Sequence, residues 1–188
     1  MTEQKFKKVS VVGLGYIGLP TAAMFASRGM EVVGIDVNPQ TVDTINRGKI
    51  HIVEPGLSSE VQKAVKRGYL RAAMEPESAD AFLIAVPTPF KIENHEPDLR
   101  FLKAAVRAIA PVLKEGDIVI LESTSPVGTT ESMADWLAFE RPDLTFPQNA
   151  GGDSDIRVAY CPERVLPGKI LSELISNARL IGGMTPKC

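Results

Sequence analysis

Val11-Val12-Gly13-Leu14-Gly15-Tyr16-Ile17-Gly18-Leu19-Pro20 sets three glycines into a run that otherwise reads as hydrophobic core. Glycine weakens regular structure, so its repeated use marks a place where a side chain would obstruct the backbone. Before the turn, Val9-Ser10-Val11-Val12 is short and β-branched, as a buried strand should be. After it, Thr21 to Arg28 is rich in helix formers and stops at Gly29, a natural residue to follow a helix. Pro20 suits the first turn of that helix, where a backbone N–H has no partner. Gly13-x-Gly15-x-x-Gly18 thus lies between a strand and a helix, the context in which its spacing has a mechanism. The first glycine permits the tight turn, and the second lets a pyrophosphate approach the backbone. The third lets the helix pack closely on the strand. Taken alone, such a turn also fits a purely structural role.

The next strand supplies a second element. Glu31-Val32-Val33-Gly34-Ile35-Asp36 is apolar and ends in an acid about 20 residues beyond the glycines, where a carboxylate meets an adenosine ribose. Asp36 would repel a 2′-phosphate, and Val37-Asn38-Pro39-Gln40 offers no arginine to receive one. The expected cofactor is NAD, not NADP.

The 188 residues are 44% hydrophobic and 23% charged, with a net charge of −2. That is enough chain for one sizeable core. The charge balance leaves no footprint for nucleic acid or an anionic membrane, so neither is expected as a partner. No apolar run approaches a membrane span, and the opening Met1-to-Ser10 stretch has no leader-like apolar core. Two cysteines, Cys161 and Cys188, indicate neither a disulfide framework nor a metal site, and a cytoplasmic setting is expected.

Along the chain, strands alternate with helices, which predicts a doubly wound, Rossmann-type, mostly parallel α/β sheet with helices on both faces. Helices are expected over Pro39–Arg47 with Asn38 as cap, Leu57–Arg67, Leu99–Leu113 with Pro111 distorting its end, Glu131–Phe139 and Lys169–Ser176. Strands are expected at Tyr69–Ala73, Ala81–Val86, Asp117–Glu122 and Ile156–Tyr160, with an edge strand at Arg179–Ile181. Arg141 to Asp155 reads as a loop. One domain, residues 1–188, accounts for the whole. Ligands of such sheets bind beyond the carboxyl ends of the strands. The loops there carry Thr88 and the hydroxyls of Ser123, Thr124, Ser125, Thr129 and Thr130, donors suited to phosphate, ribose or nicotinamide.

Several of these loops together are recognisable. Gly13 to Ala22, His51-Ile52-Val53-Glu54-Pro55, Leu83 to Phe90, Ile120 to Glu131 and Cys161-Pro162-Glu163-Arg164-Val165-Leu166-Pro167-Gly168 resemble the UDP-sugar 6-dehydrogenase family. The likeness is greatest to its branch acting on UDP-N-acetyl-D-mannosamine. The resemblance implies oxidation of a sugar CH₂OH to a carboxylate with two NAD⁺ reduced, through a thioester on a cysteine. It implies homo-oligomers for full-length members. It places Tyr16 and Ile17 at the pyrophosphate, Asp36 at the ribose, and Thr88 and Thr130 against the cofactor. Thr124 would position the catalytic water, Glu163 would act beside the reacting carbon, and Arg164 and Val165 would begin the nucleotide-sugar contact. A salt bridge to Arg164 or another loop residue is the alternative for Glu163.

The family's cysteine nucleophile sits in a Gly-rich segment far downstream, with a lysine and an asparagine on an intervening helix. None of these is in the sequence, which is expected to represent the amino-terminal NAD-binding half and to be inactive alone. Cys161, at a strand end before Pro162, lacks such a loop and is expected to be packing. Two alternatives stand beside this reading: a non-catalytic dinucleotide-binding module, and a dehydrogenase of UDP-glucose or UDP-N-acetylglucosamine.

Overall fold

Hydrophobic continuity decides the sheet, because strands covered on both faces carry apolar residues at successive positions. A computed structural model describes residues 6–93 and 96–188; Met1 to Lys5, half of the stretch read as lacking a leader, lie outside the described residues. The elements run β1 (Lys8–Val12), α1 (Gly18–Ser27), β2 (Glu31–Ile35), α2 (Pro39–Asn46), α3 (Leu57–Lys66), β3 (Leu70–Ala73) and β4 (Ala81–Ile84). Then follow α4 (Arg100–Ile109), β5 (Ile118–Leu121), α5 (Thr129–Glu140), α6 (Pro147–Ala150), β6 (Arg157–Tyr160), α7 (Ile170–Ser176) and β7 (Gly182–Gly183). The sheet order is β3-β2-β1-β4-β5-β6-β7. All neighbours are parallel except β6 and β7. The order reverses between β1 and β4, where a doubly wound sheet opens a crevice.

Alternate side chains of each strand build two cores. Val9 and Val11 join Leu14, Leu19, Ala22 and Val61 beneath α1 and α3. Phe82 and Ile84 join Leu102, Val106, Met133 and Leu137 beneath α4 and α5. On α4, Leu102, Ala105, Val106 and Ile109 recur at helical spacing and are buried, which fixes the face this helix turns to the sheet. Full burial of a Leu, Val or Ile side chain such as Leu102, Val106 or Ile109 contributes about 1.5–3 kcal/mol. α2 starts as its sequence prescribes, with Pro39 in the first turn and the Gln40 N–H donating to Asn38 Oδ1 at 2.9 Å.

Pro111 distorts the end of α4 as expected: the helix gives way to a 3₁₀ turn at Ala110–Val112, where Pro111 has no N–H to continue the ladder. Other expectations need adjustment. α1 begins at Gly18, three residues before Thr21. The stretch from Arg141 to Asp155 is not all loop. It contains α6 and a 3₁₀ turn, pinned where the Thr145 N–H and hydroxyl donate to Asp155 Oδ2 at 2.8 and 2.7 Å. The edge strand lies at Gly182–Gly183, not Arg179–Ile181, pairing Ala159 with Gly183 and Tyr160 with Gly182. Arg179 is instead drawn to Glu122 and Cys161. Among the described residues, no helix is long and apolar enough to cross a membrane.

Candidate dinucleotide site

The glycine turn is built by close approach. The Gly13 N–H donates to the Ile35 carbonyl at 2.8 Å, and Gly13 adopts φ +92°, open to glycine at little cost. A Cβ there would stand 2.6 Å from the Ala85 carbonyl oxygen at the end of β4. At Gly18 a Cβ would meet the Gly13 carbonyl oxygen at 1.7 Å, so helix and turn can touch only through glycine. Gly15 differs: nothing lies within 4 Å of its would-be Cβ. The positive end of α1 has no side-chain cap and no acid in its first turn, which leaves it open to an anion. Tyr16, half-exposed, and Ile17 flank that opening.

Asp36 follows β2 and faces the turn. Its Oδ2 accepts the Leu14 N–H at 3.0 Å and its Oδ1 accepts the Asn38 N–H at 2.9 Å. Each carboxylate oxygen keeps a lone pair for a further donor. From here a cleft of about 560 Å³ extends across the crevice. Its apolar wall comes from Val37, Met74, Phe101, Ala104, Ala105 and Ala108, a slot suited to a flat base. Its far end is lined by Pro87, Thr88, Ser123, Thr124 and Glu163.

The hydroxyls divide into two groups. Ser123 Oγ donates to the Val86 carbonyl at 2.7 Å, and Ser125 Oγ donates to the Ser123 carbonyl at 2.9 Å, so both protons go to loop structure. Thr88 Oγ1 donates to the Thr124 carbonyl at 2.6 Å, binding the loops after β4 and β5 together while its oxygen can still accept. Thr124 is exposed and opens on the cleft. Thr129 is buried and Thr130 half-buried in the first turn of α5, and neither lines the cleft.

Glu163 lies at the opposite end from Asp36. Its Oε2 accepts the Val165 N–H at 3.0 Å, and among the described residues neither Arg164 nor another lysine or arginine forms the alternative salt bridge with it. Arg164 and Val165 turn away, lining a shallow depression with Glu173 and Asn177. The Asn177 side chain donates to the Arg164 carbonyl at 2.8 Å.

Cys161 is not in the cleft. It is buried and lines a second cavity, of about 580 Å³, with Thr21, Met24 and Ile120. Arg179 Nε and Nη2 both lie 3.3 Å from its Sγ, and Nη2 donates to Glu122 Oε1 at 2.7 Å. Burial pushes the Glu122 carboxyl above the usual range, against the pull of Arg179, and its Oε2 has no partner. Nothing in the sequence singles out the base-sized slot. Met74, Phe101 and the three alanines look like ordinary loop and helix residues until the sheet order brings them to Asp36.

Comparison with known proteins adds the family. The UDP-glucose/GDP-mannose dehydrogenase family, NAD binding domain, matches residues 7–188. A Ralstonia nicotianae NDP-N-acetyl-D-galactosaminuronic acid dehydrogenase is 67% identical over 183 residues, which are 97% of this chain and 43% of that protein. An Escherichia coli UDP-N-acetyl-D-mannosamine dehydrogenase is 65% identical over the same shares. Among solved structures, the native UDP-N-acetyl-mannosamine dehydrogenase of Staphylococcus aureus aligns with a TM-score of 0.88 at 43% identity, covering 96% of this chain and 42% of that one. The chain therefore spans less than half the length of the relatives it matches. It belongs to the UDP-glucose/GDP-mannose dehydrogenase family, and its residues 7–188 form the NAD binding domain of that family.

Proposed function

We propose that this chain is the part of a UDP-N-acetyl-D-mannosamine 6-dehydrogenase that holds NAD and presents one wall of the sugar site. One observation carries the reading: a single cleft joins Asp36 and the glycine turn to Thr124 and Glu163. The open space at Gly15 and the uncapped start of α1 fit a pyrophosphate. When bound, NAD⁺ supplies the two-electron oxidant for the sugar C6 alcohol, and full oxidation to a carboxylate uses two of them. The Leu14 and Asn38 amides hold the Asp36 carboxylate in place to accept the ribose hydroxyls. The Thr88 oxygen accepts from an amide group, and the Thr124 hydroxyl orients a water. Glu163, anchored at Oε2 by Val165, receives or returns a proton at Oε1.

Cofactor binding and turnover separate in this reading. With one wall of the sugar site, the chain binds NAD⁺ but forfeits much of the roughly 7–11 kcal/mol that positioning supplies. The test follows NADH absorbance with UDP-N-acetyl-D-mannosamine and saturating NAD⁺. The expected result is no steady turnover alone, and turnover once the remaining portion of the Escherichia coli relative is supplied. Turnover by the chain alone that disappears in Cys161→Ser overturns the reading. So does an assembly that binds NAD⁺ but oxidises no UDP-sugar, which is the outcome for a non-catalytic module. A second reading, oxidation of the galacto-configured sugar nucleotide, rests on the Ralstonia relative at 67% identity, equal to that of the Yersinia pestis UDP-N-acetyl-D-mannosamine dehydrogenase. Preference for UDP-N-acetylgalactosamine in the same assay would select it.

A further inference from the structure

The His51-to-Pro55 motif lies outside the cleft, between α2 and α3. Its acid is nevertheless buried and fully engaged. Glu54 is only 5% exposed. Its Oε2 accepts the Gly168 N–H at 2.8 Å and its Oε1 accepts the Ile170 N–H at 2.8 Å. No lysine or arginine pairs with it among the described residues. A buried charge without a cation is unfavourable unless several donors meet it, and two charge-assisted amide bonds are the compensation here.

Those amides close the loop that carries Glu163. The Cys161 N–H makes the last sheet bond, to the Leu121 carbonyl at 2.9 Å. From there to Gly168 the bonds are local: Val165 to Glu163, Leu166 to Glu173, and Asn177 back to Arg164. The loop is thus a small closed unit hung between β6 at one end and Glu54 at the other. Ile170 is buried and Leu171 packs on the α1–α3 core, so apolar contact fixes where α7 lies. Apolar contact has no direction, and the two oxygens add the orientation.

We propose that Glu54 is a positioning residue: by binding the Gly168 and Ile170 amides it sets the loop whose Glu163 faces the cleft. The requirement is for a carboxylate specifically, because both partners are donors and each takes a different oxygen. Glutamine has the same shape but a single accepting oxygen, and its NH₂ would confront the second N–H. The inference rests on the substrate reading only for its catalytic consequence.

The test uses the isotopically labelled 188-residue chain with Glu54→Gln, and with Glu54→Asp as a charge-retaining variant. In Glu54→Gln, amide exchange at Gly168 or Ile170 is expected to rise at least tenfold. The Val165 amide resonance, which reports its bond to Glu163, is expected to shift, with the NAD⁺ Kd within twofold of the parent. Glu54→Asp should recover part of both changes. Unchanged protection at Gly168 and Ile170 overturns the tether. A lost tether with an unmoved Val165 resonance overturns the positioning role and leaves Glu54 a cap of α7. In the assembled enzyme, kcat is expected to fall at least tenfold in Glu54→Gln with KM for NAD⁺ within twofold, and a parallel loss in both overturns the proposal. Failure of the parent assembly to oxidise UDP-sugars would refute the substrate reading, while the amide measurements still decide Glu54.

Discussion

The Leu14 amide donates to Asp36 Oδ2 at 3.0 Å, joining the glycine turn to the acid that follows the next strand. In the proposed reading, the groups that meet the phosphates and the ribose are therefore tied directly to each other. Replacing Asp36 by Ala should weaken NAD⁺ by about 1–3 kcal/mol, the scale of a lost hydrogen bond to a charged group. Calorimetric titration with NAD⁺ and NADP⁺ checks it, and the parent should prefer NAD⁺. Equal affinity of the parent for both would refute the role of Asp36.

Gly15 and Gly18 should respond in opposite ways. Gly15→Val has room in the fold but fills the approach to the helix end, so a folded protein without measurable NAD⁺ binding is expected. Gly18→Ala drives a Cβ into the Gly13 carbonyl and should lower stability before binding is even at issue. Thermal melts with and without NAD⁺ distinguish the two.

Phe101 is half-exposed and lines the cleft with Met74. Phe101→Ala should weaken NAD⁺ by about 1–3 kcal/mol while sparing the fold, since the buried face of α4 is Leu102, Val106 and Ile109. Affinity for a nicotinamide mononucleotide, which lacks adenine, should not change.

Two acids should shape stability against pH with opposite signs. The Arg100 side chain and amide hold the Asp98 carboxyl down at about 2, so its contribution is present above the ordinary value of 3.8 and lost as pH falls through 2. Urea midpoints of the parent and Asp98→Asn should differ at pH 6 and converge near pH 2. For Glu122, burial raises the carboxyl above its ordinary 4.5, so the folded state holds that proton more tightly and stability declines as pH rises past it. Arg179→Ala should cost about 3 kcal/mol at neutral pH, by stranding a buried charge, and progressively less as falling pH protonates Glu122.

The parts of the site legible in the sequence are those whose chemistry is local. Gly13, Gly15, Gly18 and Asp36 act through backbone shape and a fixed spacing, and the structure places all four around one turn. Thr88, Ser123 and Thr124 were legible as strand-end residues, but not the destination of each proton, which depends on how two loops meet. Met74 and Phe101 carry no local signal at all, because only the neighbourhood of β2, β3 and α4 in space gives them a task. The edge strand illustrates the same limit. Gly182 and Gly183 have little strand propensity, and pairing with Ala159 and Tyr160 overrides it.

The register of β1 has a consequence for how the protein acquires its site in time. Val9 pairs with Val32 on one side and with Ala81 on the other, and the Gly13 turn rests against Ala85. The pairing with β2 closes a short loop, whereas that with β4 must wait for a far longer stretch of chain to be ordered. A nascent chain that has released only β1, α1 and β2 possesses the whole glycine motif and Asp36, yet has no wall behind the turn. Dinucleotide capture during synthesis should therefore begin abruptly once β4 has emerged and docked, making cofactor retention by stalled chains of graded length a clock for the completion of the sheet's centre.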